Sequence, residues 1–181
     1  MRVKINIDGG SRGNPGPAAS GFVITSADGG IIAGEGVCIG RATNNRAEYY
    51  ALHLALECAL ARGAREAEVF SDSKLLVCQF NGTYRIKDSG LFGMMVEIKR
   101  LAAGLRAVKL VHVPRELNKK ADALVNAALD AEGKNPHHKK VTLPAGETAG
   151  KPVSARGAHA AGAPGMDLKT PPKGGAQLDL F

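Results

Sequence analysis

The chain has 181 residues, 44% of them apolar, 4% aromatic and 23% charged. That length suits one compact domain with something attached, and no apolar run approaches the ~20 residues that would span a bilayer. Cys38, Cys58 and Cys78 form no CxxC pair, which excludes a disulfide scaffold and a cysteine zinc site, while a net charge of +7 points to a polyanionic partner.

The amino-terminal MRVKINIDGG mixes charged and apolar residues and has no signal-peptide core, so a soluble protein of the reducing cytoplasm is expected. Val3, Ile5 and Ile7 alternate with Arg2, Lys4 and Asn6, predicting a first strand that ends at Asp8. GFVIT (21–25), a turn at Asp28-Gly29-Gly30 and IIAGEGVCI (31–39) predict a hairpin. Thr43 or Asn44 can cap a helix running to about residue 62, with Ala51, Leu52, Ala55, Leu56 and Ala59 on its buried side. Residues 66–70 read as a fourth strand and 73–80 as a short helix. A helix over 91–105, a strand over 108–113 and a last helix over 117–130 follow. Three meandering strands and then helix-linked strands predict an α/β fold with a mixed sheet, because helical crossovers favour parallel pairing.

Composition changes near residue 131. Residues 1–130 hold 17 Lys+Arg against 13 Asp+Glu, and residues 131–181 hold 7 against 4. Ala, Gly, Pro and Lys dominate 131–176 without a sustained period, which predicts a flexible linker that cannot bury enough surface to offset its ordering entropy. The last five residues, QLDLF (177–181), concentrate Leu178, Leu180 and Phe181 and call for a separate explanation.

Four acids stand out. Asp8 and Asp72 end strands that, if parallel neighbours, release both carboxylates at the same sheet edge, where α/β ligands usually bind. Glu48 lies in the first turns of the long helix and Asp122 early in the last one. Clustered carboxylates repel unless a cation is present, and hard oxygen donors without a His or Cys cage suit Mg²⁺ or Mn²⁺. Two such ions can clamp a phosphodiester between attacking water and leaving oxygen. Taken singly, each acid also reads as an ordinary solvated residue.

The flanking residues favour the first reading. DGGSRGNPGPAASG (8–21), TNNRAEYYALHLAL (43–56), FSDSKLLVCQFNG (70–82) and HVPRELNKKADALVN (112–126) together resemble the sequence blocks of type 1 ribonuclease H, in order, over residues 1–130. The resemblance implies a ribonuclease H-like fold with a five-stranded mixed sheet flanked by helices. It also implies an endonuclease that cuts the RNA strand of RNA–DNA hybrids, leaving 5′-phosphate and 3′-hydroxyl ends, with two Mg²⁺ (or Mn²⁺) ions per site. Asp8, Glu48, Asp72 and Asp122 match the family's four catalytic, metal-binding acids. Asn14, Asn44 and Asn45 match positions that read the minor groove of the hybrid, and Gly9 and Gly10 would let the backbone approach substrate closely. In the bland alternative the glycines shape a turn and Asn44 caps its helix.

Two departures from the best-known bacterial pattern follow. The segment 81–93, NGTYRIKDSGLFG, is short where that pattern has a basic, tryptophan-bearing protrusion, and the chain has no tryptophan. Hybrid affinity then falls to residues such as Lys74, Arg85 and Lys87 or to the basic linker. A gapless match places His112 where the family carries a catalytic histidine, yet LVHVPRE reads as a strand, which leaves His112 structural and Arg115 nearer the scissile phosphate. Proton transfer through Arg115 or through bulk water stays open.

The terminal QLDLF resembles the bacterial sliding-clamp-binding peptide. Gln177, Leu178, Leu180 and Phe181 would bind the partner: Leu180 and Phe181 would fill an apolar pocket, Gln177 would bond at its rim, and the linker would supply reach. The expected whole is a monomer bound to a hybrid and tethered to a clamp at replication or repair sites. A hybrid-binding adaptor with weak catalysis is the alternative, disfavoured because all four acids are present. Nucleases of the same fold that act on DNA junctions or 3′ ends are disfavoured by NPGPA and TNNRAE.

Overall fold

The alternation of Val3, Ile5 and Ile7 places all three side chains in one buried cluster of the computed structural model, which describes residues 1–134 and 140–146. They belong to β1 (Arg2–Ser11), which pairs antiparallel with β2 (Gly16–Thr25), itself antiparallel to β3 (Ile31–Ala42). Helix α1 (Asn44–Ala61) leads to β4 (Glu66–Ser71), and α2 (Lys74–Phe80) and α3 (Ser89–Ala103) lead to β5 (Ala107–His112). Helix α4 (Lys119–Lys134) follows a single 3₁₀ turn at Arg115–Leu117. The strand order is β5-β4-β1-β2-β3-β6, with β1, β4 and β5 mutually parallel, as the helical crossovers require.

Helices cover both faces. The alanine-rich side of α1, including Ala47, Ala51, Leu52, Ala55, Leu56 and Ala59, is buried and packs on β1 and β2. On the opposite face α4 lies so close to the sheet that a Cβ added at Gly36 would sit 2.3 Å from the Leu124 carbonyl oxygen. Helix starts follow the cap residues: Thr43 Oγ1 accepts from the Arg46 N–H at 3.3 Å, and Asp88 Oδ1 accepts from the Leu91 N–H at 2.8 Å.

The sheet has six strands where five were expected. The added strand, β6 (Lys140–Leu143), pairs antiparallel with β3 and falls within the stretch whose composition reads as linker. Burial explains it: Leu143 joins Val23, Ile31 and Leu124 in a small apolar cluster, and Lys140 Nζ pairs with Glu35 Oε2 at 2.8 Å. Helix α4 likewise continues past residue 130 to Lys134. The rest of the expected linker and the terminal residues Gln177, Leu178, Leu180 and Phe181 lie outside the described residues. Among the described residues, no helix is long and apolar enough to cross a membrane.

One register positions the site. The parallel pairing of β1 with β4 stops at Asn6 opposite Phe70. Asp8 and Asp72 each lie two residues beyond that last pair, so both acids emerge at one edge. Strand β1 nevertheless continues to Ser11 by pairing with β2, so Asp8 lies inside a strand and not at its end.

Candidate active site

Helix α1 touches β1 at Gly9. A Cβ there would lie 2.2 Å from the Glu48 backbone nitrogen, so only glycine permits this crossing. The close approach brings Glu48, one turn into α1, beside Asp8. Asp72 arrives from the end of β4. Carboxylate oxygens of Asp8, Glu48 and Asp72 all lie within 4.8 Å of one another.

Three acids so close, two of them buried, cannot all ionise freely. Burial, then the charges of Asp72 and Asp122, push the Asp8 carboxyl up to about 7. Burial, then Asp8 and Asp72, raises Glu48 well above the usual carboxylate range, while a hydrogen bond from Asn44 acts against this. Asn44 Nδ2 reaches Glu48 Oε1 at 3.4 Å, whereas the buried Glu48 Oε2 has no hydrogen-bond partner. A buried carboxylate gathered with two further acids and left with one oxygen lacking a hydrogen-bond partner fits a divalent cation, which would reverse the repulsion and supply the missing partner. An all-oxygen donor set favours Mg²⁺ or Mn²⁺ over zinc.

Asp122 is held apart from this trio. Arg115 Nη2 donates to its Oδ1 at 2.5 Å and Asn126 Nδ2 to its Oδ2 at 3.1 Å. It is near enough for its charge to raise Asp8, yet its carboxylate is paired with a cation of the chain itself. The structure thus gathers three of the four expected acids and sets the fourth at the border.

Of the expected substrate residues, Asn14 and Asn44 meet: Asn14 Oδ1 accepts from the Asn44 N–H at 3.2 Å, joining the β1–β2 turn to the start of α1. Asn45 is exposed next to them. Gly10 lies on the α4 side, where a Cβ would come within 3.0 Å of Val125 Cγ1. His112 is the last residue of β5, paired with Ser71 and exposed. Lys74, Arg85 and Lys87 are exposed, and residues 81–88 alone connect α2 to α3.

Asn118 has no place in the expected site. Its side chain is 1% exposed and donates to Asp72 Oδ1 at 3.1 Å and to the Ile7 carbonyl at 2.7 Å. The sequence offers only a weak signal, an asparagine just before a helix, which reads as an ordinary cap.

Residues 6–128 match the family described as Reverse transcriptase-like. Ribonuclease HI of Halobacterium salinarum is 49% identical over 129 residues, which is 71% of this chain and 65% of that protein, so the chain spans less than two thirds of this relative's length. The crystal structure of RNase H1 from Halobacterium salinarum superposes with a TM-score of 0.71 at 48% identity, covering 72% of this chain and 99% of that one. LC11-RNase H1, solved in complex with an RNA/DNA hybrid, superposes at 0.68 with 41% identity, covering 71% of this chain and 97% of that one.

Proposed function

The chain belongs to the type 1 ribonuclease H family of metal-dependent endoribonucleases, and from that premise we propose that it hydrolyses the RNA strand of RNA–DNA hybrids, leaving 5′-phosphate and 3′-hydroxyl ends. The observation that carries the reading is the meeting of Asp8, Glu48 and Asp72, with the buried Glu48 Oε2 left without a partner.

Asp8, Glu48, Asp72 and Asp122 would hold two Mg²⁺ (or Mn²⁺) ions, which when bound would activate water and stabilise the leaving oxygen. Around them the chain supplies orientation. Asn14, Asn44 and Asn45, gathered at the start of α1, offer short polar groups to the minor groove, where the 2′-hydroxyl distinguishes RNA from DNA. The backbone at Gly9 and Gly10 borders the same edge. Arg115, its side chain 74% exposed beside Asp122, is positioned to meet a phosphate or to assist the leaving group. His112 serves the sheet. Without a basic protrusion, affinity for the hybrid rests on dispersed cations such as Lys74, Arg85 and Lys87.

The sequence QLDLF supports recruitment to a sliding clamp through Gln177, Leu178, Leu180 and Phe181. A cytoplasmic role in replication or repair accords with three free cysteines and no pairing pattern.

The test is cleavage of a labelled RNA–DNA hybrid in Mg²⁺ by the wild type and by Asp8→Asn. RNA-strand cutting by the wild type alone, absent on DNA duplex, is the expected result. Binding without cutting by both proteins would favour a hybrid-binding adaptor instead.

A further inference from the structure

An asparagine just before a helix ordinarily turns its side chain toward the helix and accepts from the first free N–H groups. Asn118 precedes α4 but turns the other way, into the sheet. Its Nδ2 donates both to the Ile7 carbonyl at 2.7 Å and to Asp72 Oδ1 at 3.1 Å. Its Oδ1 accepts from Asn6 Nδ2 at 3.2 Å. The Ile7 carbonyl can only accept, so the amide has one orientation, with its NH₂ group toward Ile7 and Asp72. All three contacts are satisfied at a residue 1% exposed.

Three acid-bearing elements converge on this one side chain. Ile7 immediately precedes Asp8 in β1, Asp72 follows β4, and Asp122 lies four residues along the helix that Asn118 begins. We propose that Asn118 is a positioning residue for the metal-binding carboxylates. Its NH₂ group occupies Asp72 Oδ1, directing Oδ2 to a cation, and its bond to Ile7 holds the start of α4, with Asp122, against β1. Hydrogen bonds to ligating carboxylates orient them and raise metal affinity, and their loss typically weakens binding about 10- to 100-fold. The inference rests on the metal-dependent reading above and assigns that site a buried residue that acts through the carboxylate of Asp72.

The experiment measures Mn²⁺ binding by electron paramagnetic resonance of the free ion, on the full chain and on Asn118→Ala, Asn118→Asp and Asn6→Ala. Asn118→Ala is expected to raise the Mn²⁺ dissociation constant about 10- to 100-fold. It should lower kcat at limiting metal while KM for hybrid stays unchanged. Asn118→Asp, which keeps the volume but replaces the donor by a charged acceptor, is expected to lower the melting temperature in EDTA through repulsion with Asp72. Asn6→Ala removes only the neighbour's donor and is expected to lower the melting temperature while leaving the dissociation constant unchanged. Unaltered binding in Asn118→Ala, or an equal loss in Asn6→Ala, overturns the positioning role while leaving the metal site in place. Failure of the wild type to bind Mn²⁺ overturns the functional reading as well. A measurement on the wild type alone covers variants that do not fold. The side-chain amide resonances of Asn118 are expected to shift when Mg²⁺ is added, and their standing still overturns the proposal.

Discussion

Arg115 Nη2 lies 2.5 Å from Asp122 Oδ1, so the carboxylate expected to complete an acidic quartet is neutralised by a cation of its own chain. The arginine side chain is 74% exposed and the aspartate side chain 28%, which keeps the pair weak and exchangeable. A metal ion using Asp122 must compete with that guanidinium. Arg115→Ala is therefore expected to lower the Mg²⁺ concentration at half-maximal hybrid cleavage about two- to fivefold, the effect of an exposed ion pair. A metal titration of initial rates checks this, and an unchanged midpoint would mean that Arg115 never competes for Asp122.

Glu48 illustrates a conflict between stability and function. Its carboxylate is buried beside two other acids with one oxygen unpartnered. Glu48→Gln removes the charge without changing the shape. In EDTA the variant is expected to melt about 5 °C higher, the effect of about 1–2 kcal/mol in a domain of this size, and to have lost cleavage. Calorimetry beside the hybrid assay tests both halves, and a lower melting temperature would refute the conflict.

Asp8 gives the metal-free protein a pH dependence. Its carboxyl stands at about 7 in the folded chain against an ordinary 3.8, chiefly through burial. Between those values the folded state keeps a proton that the unfolded state has lost, so stability is greatest at low pH and declines as pH rises through the window. Above it the curve levels. The decline is up to about 4 kcal/mol. Urea denaturation in EDTA between pH 4 and 8 should show it, and saturating Mg²⁺ should flatten it, since a bound cation favours the ionised form.

Gly9 and Gly10 are neighbours with different sensitivities. An added methyl at Gly9 meets the α1 backbone at 2.2 Å, which cannot give way without moving Glu48. At Gly10 it meets one Val125 methyl at 3.0 Å, the end of a side chain. Gly9→Ala is expected to cost about 3 kcal/mol and abolish cleavage, and Gly10→Ala less than about 1 kcal/mol. Equal costs by urea denaturation would contradict this packing.

Strand β6 can be tested by Leu143→Ala. Leu143 is buried with Val23, Ile31 and Leu124, and its truncation is expected to lower stability by about 2 kcal/mol. No change would mean that the sixth strand contributes nothing to the fold.

The local plan was legible because it depends on near neighbours along the chain. Alternation at Val3, Ile5 and Ile7 specified a strand, the helical spacing of Ala51, Leu52, Ala55 and Leu56 specified the buried side of α1, and its start was narrowed to Thr43 or Asn44, of which the structure uses Thr43. The family blocks around Asp8, Glu48 and Asp72 marked those acids, and the register of two parallel strands delivered Asp8 and Asp72 to one edge. The sixth strand was hidden because KVTL sits in a stretch whose Lys, Gly and Pro content masks four residues of pattern.

What the tertiary structure alone decided are contacts between residues far apart in sequence. Asn118 and Ile7 are separated by 111 positions, and nothing beside Asn118 announces that its amide will turn into the sheet instead of capping α4. Asp122 reads as one of four equivalent acids until Arg115 is found against it. Glu48 is marked as an acid of the site by its sequence block, but only the Gly9 crossing shows that it is buried with one oxygen unpartnered. Periodicity reports the environment a side chain needs on average. Which donor, cation or void it meets is set by surfaces that come together only when the sheet and its two helical layers have packed.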